Sequence, residues 1–370
     1  MKKAAKAAIK EKPTLLIEPK DIKPSIPEMR VRGVFNPGAV RLPNGKVLLM
    51  ARVAETPIHG KRYFISAKMA GTEKHPKMKT EKIPRTTGTI EEQGFHTKFG
   101  MWKLPTLSHL RKIYLDETGM FVEKLGTEHD FCGCGTDGDL GVEDPRITHF
   151  KRDNFYAMTY VSVSAKSGVS TSLATSKNLQ GWTRHGIIFR QQNKDVVLFP
   201  EKIKGYYVAL HRPEGAMIFD KPSIWISYSK DLIYWGRDKT LLAPRETGWD
   251  SLRIGPGTIP IKIKEGYLEL YHGVRLSRAR DPDSKKIYSA GALLFDAKNP
   301  EKILARSPVN KPLFLPDPKT EKKGFMEQVV FPTGVVTANQ GKDLLVYSGG
   351  ADSRITVRKM AIKDILNSLE

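Results

Sequence analysis

The run Gly141-Val142-Glu143-Asp144-Pro145-Arg146-Ile147-Thr148 places two adjacent carboxylates, a proline and an arginine between a loop rich in Gly, Asp and Cys and an apolar stretch. A carboxyl raised in pKa by burial can protonate a departing group, so these are residue types for acid chemistry. Neighbouring side chains on an extended chain point opposite ways. Glu143 and Asp144 are therefore expected to take different roles, one facing a pocket and the other paired behind it, with Arg146 as a candidate partner. Pro145 restricts the residue before it and is expected to hold Asp144 extended. The same residues also suit a turn with a surface ion pair, and the run by itself does not decide between the two.

The elements that would position such a site are short. Long amphipathic helical periodicity is scarce, and β-rich runs between Gly, Pro, Asn and Asp clusters dominate, which predicts an all-β protein. Ser176-Lys177-Asn178-Leu179 is followed by Trp182, and Ser229-Lys230-Asp231-Leu232 by Trp235, 53 residues on. Repetition at this period fits the blades of a β-propeller, and the two tryptophans are read as packing residues. Five apolar runs end in polar residues: Leu48–Arg52, Met158–Ser162, Val208–Arg212, Leu268–Gly273 and Leu345–Gly349. They are expected to be the inner strands of five blades, with their tips converging on a central channel. The predicted organisation is a basic N-terminal extension over 1–24, a five-bladed β-propeller over 25–358, and a short C-terminal helix over 359–370. Within the propeller, 59–141 is read as an elaborated insertion over the active-site face.

The chain has 370 residues, 61 Lys and Arg against 40 Asp and Glu, and a formal charge of +21. Such a charge attracts anions. It is spread along the chain, and no helix-turn-helix, zinc-finger or RRM signature accompanies it, so no specific nucleic-acid partner is expected. No apolar stretch approaches a bilayer span, and the basic Met1–Lys12 segment has no apolar run behind it, so no membrane association is expected. Cys132 and Cys134, the two cysteines, make no disulfide framework. With His129 nearby they match no standard zinc spacing, and no metal is expected. A cytoplasmic protein with reduced thiols is the simplest account.

Eight segments, in order, resemble glycoside hydrolase family 130, the β-mannoside phosphorylases and related β-mannosidases. They are Phe35–Ala39, Leu107–Arg111, Glu143–Thr148, Asn193–Asp195 with Leu198–Ile203, Leu210–Pro213, Arg253–Gly255, Leu270–Val274, and Val330–Pro332 with Gly349–Asp352. The resemblance implies a five-bladed β-propeller and inverting phosphorolysis of β-mannosides to α-mannose 1-phosphate, run reversibly. Inorganic phosphate would be the co-substrate and no cofactor is implied. An inverting phosphorylase needs one acid, because phosphate itself attacks the anomeric carbon; an inverting hydrolase needs a second carboxylate to activate water. The resemblance makes Asp144 the acid, its proton relayed through a hydroxyl of the mannose ring.

The phosphate-binding residues implied are Lys194, Arg212 and Arg253, with Tyr271 and His272 adding donors. Phosphorylases of the family usually carry Arg where this chain has Lys194 and Lys where it has Arg253. The sugar-binding residues implied are Asn36, Arg52, Ser108, Glu143, Arg146 and Asp352, with His211 and Tyr288 as weaker candidates. Two other readings stay open. One is an inverting β-mannosidase using Glu214 or Asp250 as base. The other is a non-catalytic propeller that binds glycans or polyanions. The wording of Leu107–Arg111 and Asn193–Asp195 is closer to the branch acting on β-1,2 bonds than on β-1,4 bonds. The terminal segments are candidate contacts for a homo-oligomer.

Overall fold

The computed structural model describes residues 7–91, 94–98, 102–127, 130–135, 137–190, 192–215, 217, 219–277 and 285–370. The short apolar runs form five antiparallel sheets arranged as a five-bladed β-propeller. Blade 1 consists of Met29–Arg41, Val47–Pro57, Leu107–Leu115 and Val122–Leu125. Blade 2 consists of Val142–Phe150, Phe155–Ser164, Gly168–Ser176 and Thr183–Phe189. Blade 3 consists of Asn193–Leu198, Tyr207–Pro213, Ile224–Ser229 and Trp235–Leu242. Blade 4 consists of Arg253–Pro256, Gly266–Leu276, Lys286–Phe295 and Ile303–Arg306, with Ile261–Ile263 paired to its second strand. Blade 5 consists of Val330–Ala338, Asp343–Gly350 and Arg354–Ala361, and its outer strand is Thr14–Ile17.

The first strand of each blade lines the channel. Met29–Arg41 lies against Val142–Phe150 and Val330–Ala338, and Val142–Phe150 lies against Asn193–Leu198, which touches Arg253–Pro256. The five apolar runs with polar tips are therefore second strands, not inner ones. Each second strand is sandwiched on both faces between neighbouring blades, so its sequence reads as a continuous apolar run. The inner strands look less apolar because one of their ends is given over to polar residues. They approach closely: a Cβ on Gly38 would sit 2.9 Å from the carbonyl oxygen of Pro145 in blade 2.

The core is five layers, one per gap between blades. Val34, Leu49 and Val53 meet Leu345 and Val357 between blades 1 and 5. Leu48 and Met50 meet Met158 and Tyr160 between blades 1 and 2. Leu173 and Phe150 meet Leu198 and Ala209 between blades 2 and 3. The gap between blades 3 and 4 holds Phe199, Trp249 and Tyr271, and that between blades 4 and 5 holds Leu270, Phe314 and Val346. The Ser-Lys-Asn/Asp-Leu echo turns the third strand into the fourth in blades 2 and 3. In both turns the serine hydroxyl accepts the leucine N–H at 2.9 Å, and the leucine takes a positive φ (65° and 70°). Trp182 and Trp235 then pack into interblade layers.

Three boundaries differ from expectation. Residues 1–6 of the expected extension lie outside the described residues. The remainder is part of the propeller: Thr14–Ile17 pairs antiparallel with Arg354–Ala361 and closes the ring, while Ile9 packs with Leu313 and Phe314. Within 59–141, Leu107–Leu115 and Val122–Leu125 complete blade 1. The insertion proper is the hairpin Tyr63–Gly71/Pro76–Pro84 and the small sheet Gly88–Glu91, Gly94–Thr97, Trp102–Lys103. At the C-terminus the helix spans Ile362–Asn367, since Lys359–Ala361 still belongs to a strand. Among the described residues no helix is long and apolar enough to cross a membrane.

Candidate active site

Three inner strands lose register at equivalent points: between Phe35 and Gly38, Glu143 and Arg146, and Lys194 and Val197. The residues at these bulges are Asn36, Asp144 and Asp195, all with left-handed φ (45°, 49° and 59°). Asn and Asp adopt this region most readily after glycine, and a bulge re-aims a side chain. Asp144 is thus left-handed and not extended, despite Pro145. The bulge also cancels the expected alternation, so Glu143 and Asp144 point at the same guanidinium.

That guanidinium belongs to Arg52. Its Nη1 donates to Asp144 Oδ1 at 3.1 Å, its Nη2 to Glu143 Oε1 at 2.7 Å, and its Nε to Ser108 Oγ at 3.0 Å. Asn36 Nδ2 adds a bond to Asp144 Oδ1 at 3.0 Å. Arg146, the candidate partner in the sequence, pairs with neither carboxylate. Its Nη1 donates to the Asp144 backbone carbonyl at 2.7 Å and its Nε to the Gly257 carbonyl at 2.8 Å, which braces the bulge. Asp352 follows the second strand of blade 5 with φ 48°. Burial, reinforced by the charges of Asp144 and Glu143, pushes its carboxyl up to about 7 against the pull of Arg52 and Lys194.

The cations lie on the facing blades. Arg146 Nη2 is 3.7 Å from Asp195 Oδ1, and Arg212 Nε donates to Asp195 Oδ2 at 2.6 Å. Burial raises the Asp195 carboxyl, but Arg212, His272 and Arg146 outweigh it and hold it well below the carboxylate range. Arg212 Nη1 also bonds Glu214 Oε1, whose Oε2 is 3.3 Å from Arg253 Nη2. Lys194 Nζ reaches Glu143 Oε2 at 4.0 Å, joining the two halves. His272 has its Nε2 3.9 Å from Asp195 Oδ2. Burial and the nearby arginines push it down to about 3, so it is neutral at pH 7. Gly255 makes room here: a Cβ would lie 2.4 Å from His272 Cε1 and 2.7 Å from Arg212 Cδ. Tyr288 stacks along His272, with ring centroids 6.2 Å apart. Side-chain exposure grades the site in depth, from 5% at Arg212 and 11% at Asp144 to 26% at Arg253 and 29% at Lys194. Anionic and cationic groups thus meet at the end of the channel where the inner strands begin. The opposite end opens into a cavity of about 760 Å³ with walls including Val40, Ile147, Ile261 and Val336. Its carboxylate, Glu201, is tied to Lys262 and Tyr267.

Three expected residues are elsewhere. Tyr271 alternates with His272 along its strand and so faces the gap between blades 3 and 4. Its hydroxyl donates to Asp250 Oδ2 at 2.9 Å and accepts from Arg306 Nε at 3.0 Å. Asp250, expected as an alternative base, is fully buried between Arg245 and Arg306 and does not reach the channel. His211 alternates with Arg212 and faces the other way. It bonds Asn193 and Ser227 and stacks on Phe189, so it cannot touch sugar. Two residues were missed as site members. Asp195 is the hub of the cations, and its place at the third Asn/Asp bulge is the signal that would have found it. Glu269 lies behind the site with Oε1 accepting the Gly257 N–H at 2.8 Å. A lone glutamate in an apolar strand gave no other sign. Among the described residues no group of three His, Cys, Asp or Glu is placed to hold a metal. Cys132 and Cys134 are buried, burial pushes Cys132 up to about 12, and His129 lies outside the described residues.

Comparison with known proteins finds relatives over most of the chain. A family profile described as β-1,4-mannooligosaccharide phosphorylase matches residues 129–370. A 1,2-β-oligomannan phosphorylase of a Thermoanaerobacter species is 40% identical over 227 residues, 61% of this chain and 70% of that protein. A β-1,2-mannobiose phosphorylase of Listeria innocua is 32% identical over 368 residues, 96% of each chain. The structure of the Listeria innocua enzyme in complex with β-1,2-mannobiose superposes with a TM-score of 0.80, covering 95% of this chain and 96% of that one.

Proposed function

The chain belongs to glycoside hydrolase family 130, and on that premise we propose that it is a β-mannoside phosphorylase acting on β-1,2-linked manno-oligosaccharides. Phosphorolysis of β-mannosides, with inorganic phosphate as co-substrate, is the activity carried by its relatives' names. The β-1,2 preference rests on the names of the two relatives described above. The observation that carries the mechanism is the meeting of Asp144 with Lys194, Arg212 and Arg253 at one end of the channel, linked through Arg146 and Asp195.

In this reading a mannosyl residue sits between the two halves. Asn36, Arg52, Tyr288 and Asp352 bind its hydroxyls, with Ser108 and Glu143 holding Arg52 in place and Arg146 bracing the Asp144 bulge. Asp144 supplies the proton to the departing glycosidic oxygen through a ring hydroxyl. Phosphate, held by Arg212, Arg253 and Lys194 with His272 beside them, attacks the anomeric carbon from the opposite face. The C1–O bond to the leaving sugar breaks as a C1–O bond to phosphate forms, giving α-mannose 1-phosphate. Arginine suits this role because its planar fork matches phosphate oxygens. A neutral His272 adds no charge but can donate one N–H. The test is phosphate-dependent turnover of β-1,2-mannobiose against β-1,4-mannobiose. A kcat/KM at least about tenfold higher for the β-1,2 substrate is expected, since one well-placed contact is worth about that factor. Equal values, or a β-1,4 preference, would overturn the linkage assignment.

A further inference from the structure

We propose that Glu214 is a built-in anion that occupies the phosphate seat between Arg212 and Arg253 and must be displaced before phosphate binds, a role that rests on the phosphorylase reading above. Its two carboxylate oxygens engage two different guanidiniums, Oε1 with Arg212 Nη1 and Oε2 with Arg253 Nη2 at 3.3 Å. Two oxygens of a phosphate would make the same pair of contacts. Arg212 is nearly sealed from solvent, and Asp195 already engages its Nε. An empty seat would leave part of that buried charge unmatched, which is costly. Glu214 removes that cost while phosphate is absent.

The two acidic partners of Arg212 differ in freedom. Asp195 has a side chain 2% exposed within an inner strand, whereas that of Glu214 is 22% exposed just beyond Pro213, where the second strand of blade 3 ends. Glu214 is therefore the one able to withdraw. Burial raises its carboxyl, but Arg212 and Arg253 outweigh this and keep it ionised at neutral pH. An ionised Glu214 and a phosphate anion repel, so they cannot share the seat without cost. Water, carrying no charge, competes with the carboxylate for the guanidiniums less well than an anion does. The carboxylate thereby sets phosphate affinity and favours phosphate over water as acceptor.

The experiment is calorimetric titration of the full chain with inorganic phosphate, together with KM for phosphate and for β-1,2-mannobiose, in wild type and Glu214→Gln. The amide keeps the shape and loses the charge. Phosphate is expected to bind roughly tenfold tighter, equivalent to about 1.4 kcal/mol, with KM for phosphate falling in step and KM for the disaccharide moving less than about twofold. In a wild-type crystal with phosphate, Glu214 is expected to have left at least one guanidinium, a result that decides the matter even if the variant folds poorly. Phosphate-dependent turnover with phosphate binding equal or weaker in a folded Glu214→Gln overturns the role of Glu214 alone. So does a phosphate complex in which Glu214 still bridges both arginines. Mannose release at equal rates without phosphate, in both proteins, overturns the phosphorylase reading and this role with it.

Discussion

Glu269→Gln should gain stability relative to wild type as pH rises. Glu269 is fully buried on the second strand of blade 4, and burial pushes its carboxyl from 4.5 up to about 8, against the weaker pull of the Gly257 N–H and Arg146. In the unfolded chain the group loses its proton near 4.5; in the folded chain it keeps it to about 8. Between those values the folded state binds more protons, so stability falls as pH rises. The loss is about 1.4 kcal/mol per pH unit. It amounts to under about 1 kcal/mol at pH 5 and about 3 kcal/mol at pH 7. Glutamine carries no such term. Its NH2 takes the place of Oε2, an atom with no hydrogen-bond partner, and leaves buried donors unmatched at a cost of about 1–3 kcal/mol that does not vary with pH. The slope is therefore the diagnostic, not the offset. Urea unfolding followed by tryptophan fluorescence, from pH 5 to pH 8, should show the variant gaining on wild type by about 2 kcal/mol between pH 5 and pH 7. A difference constant across this range would refute the burial of a protonated acid behind the site.

Asp144→Asn should lower kcat by about 10³-fold, within the range for loss of a general acid, while KM for phosphate stays within about twofold, as initial rates over a phosphate series would show. Tyr271→Phe removes the hydroxyl from Asp250 and Arg306 and should cost about 1–3 kcal/mol in urea unfolding without changing KM for phosphate. A large rise in that KM would return Tyr271 to the phosphate site. Deleting residues 1–17 removes the closing strand Thr14–Ile17 and the buried Ile9 and Ile17. At about 1.5–3 kcal/mol per buried isoleucine, the expected loss is about 3–6 kcal/mol, read as a fall in the urea midpoint.

The propeller was legible because its turns repeat. Ser176 and Ser229 start the same turn one blade apart, and the same backbone geometry serves both. Which strand lines the channel was not legible. Burial on both faces makes the second strands the most apolar runs, and their polar tips imitate inner strands. Side-chain alternation within those second strands sorts channel residues from packing residues. Arg212 and His272 face the channel, so their neighbours His211 and Tyr271 must face the interblade gaps. The bulges at Asn36, Asp144 and Asp195 override that alternation on the inner strands. A proline after Asp144 argues for extended backbone, and only the pairing of the strands selects the left-handed turn. The N-terminal closing strand was hidden for a simpler reason: four residues flanked by lysine-rich sequence hold too little pattern to read as a strand.

Whether phosphate is the nucleophile can be read by following β-1,2-mannobiose and inorganic phosphate with the wild-type chain by ³¹P and ¹H NMR. Phosphate should be consumed as an α-configured mannose 1-phosphate appears, one for each disaccharide cleaved. A β-configured phosphate ester, or free mannose accumulating with the phosphate signal unchanged, would contradict it.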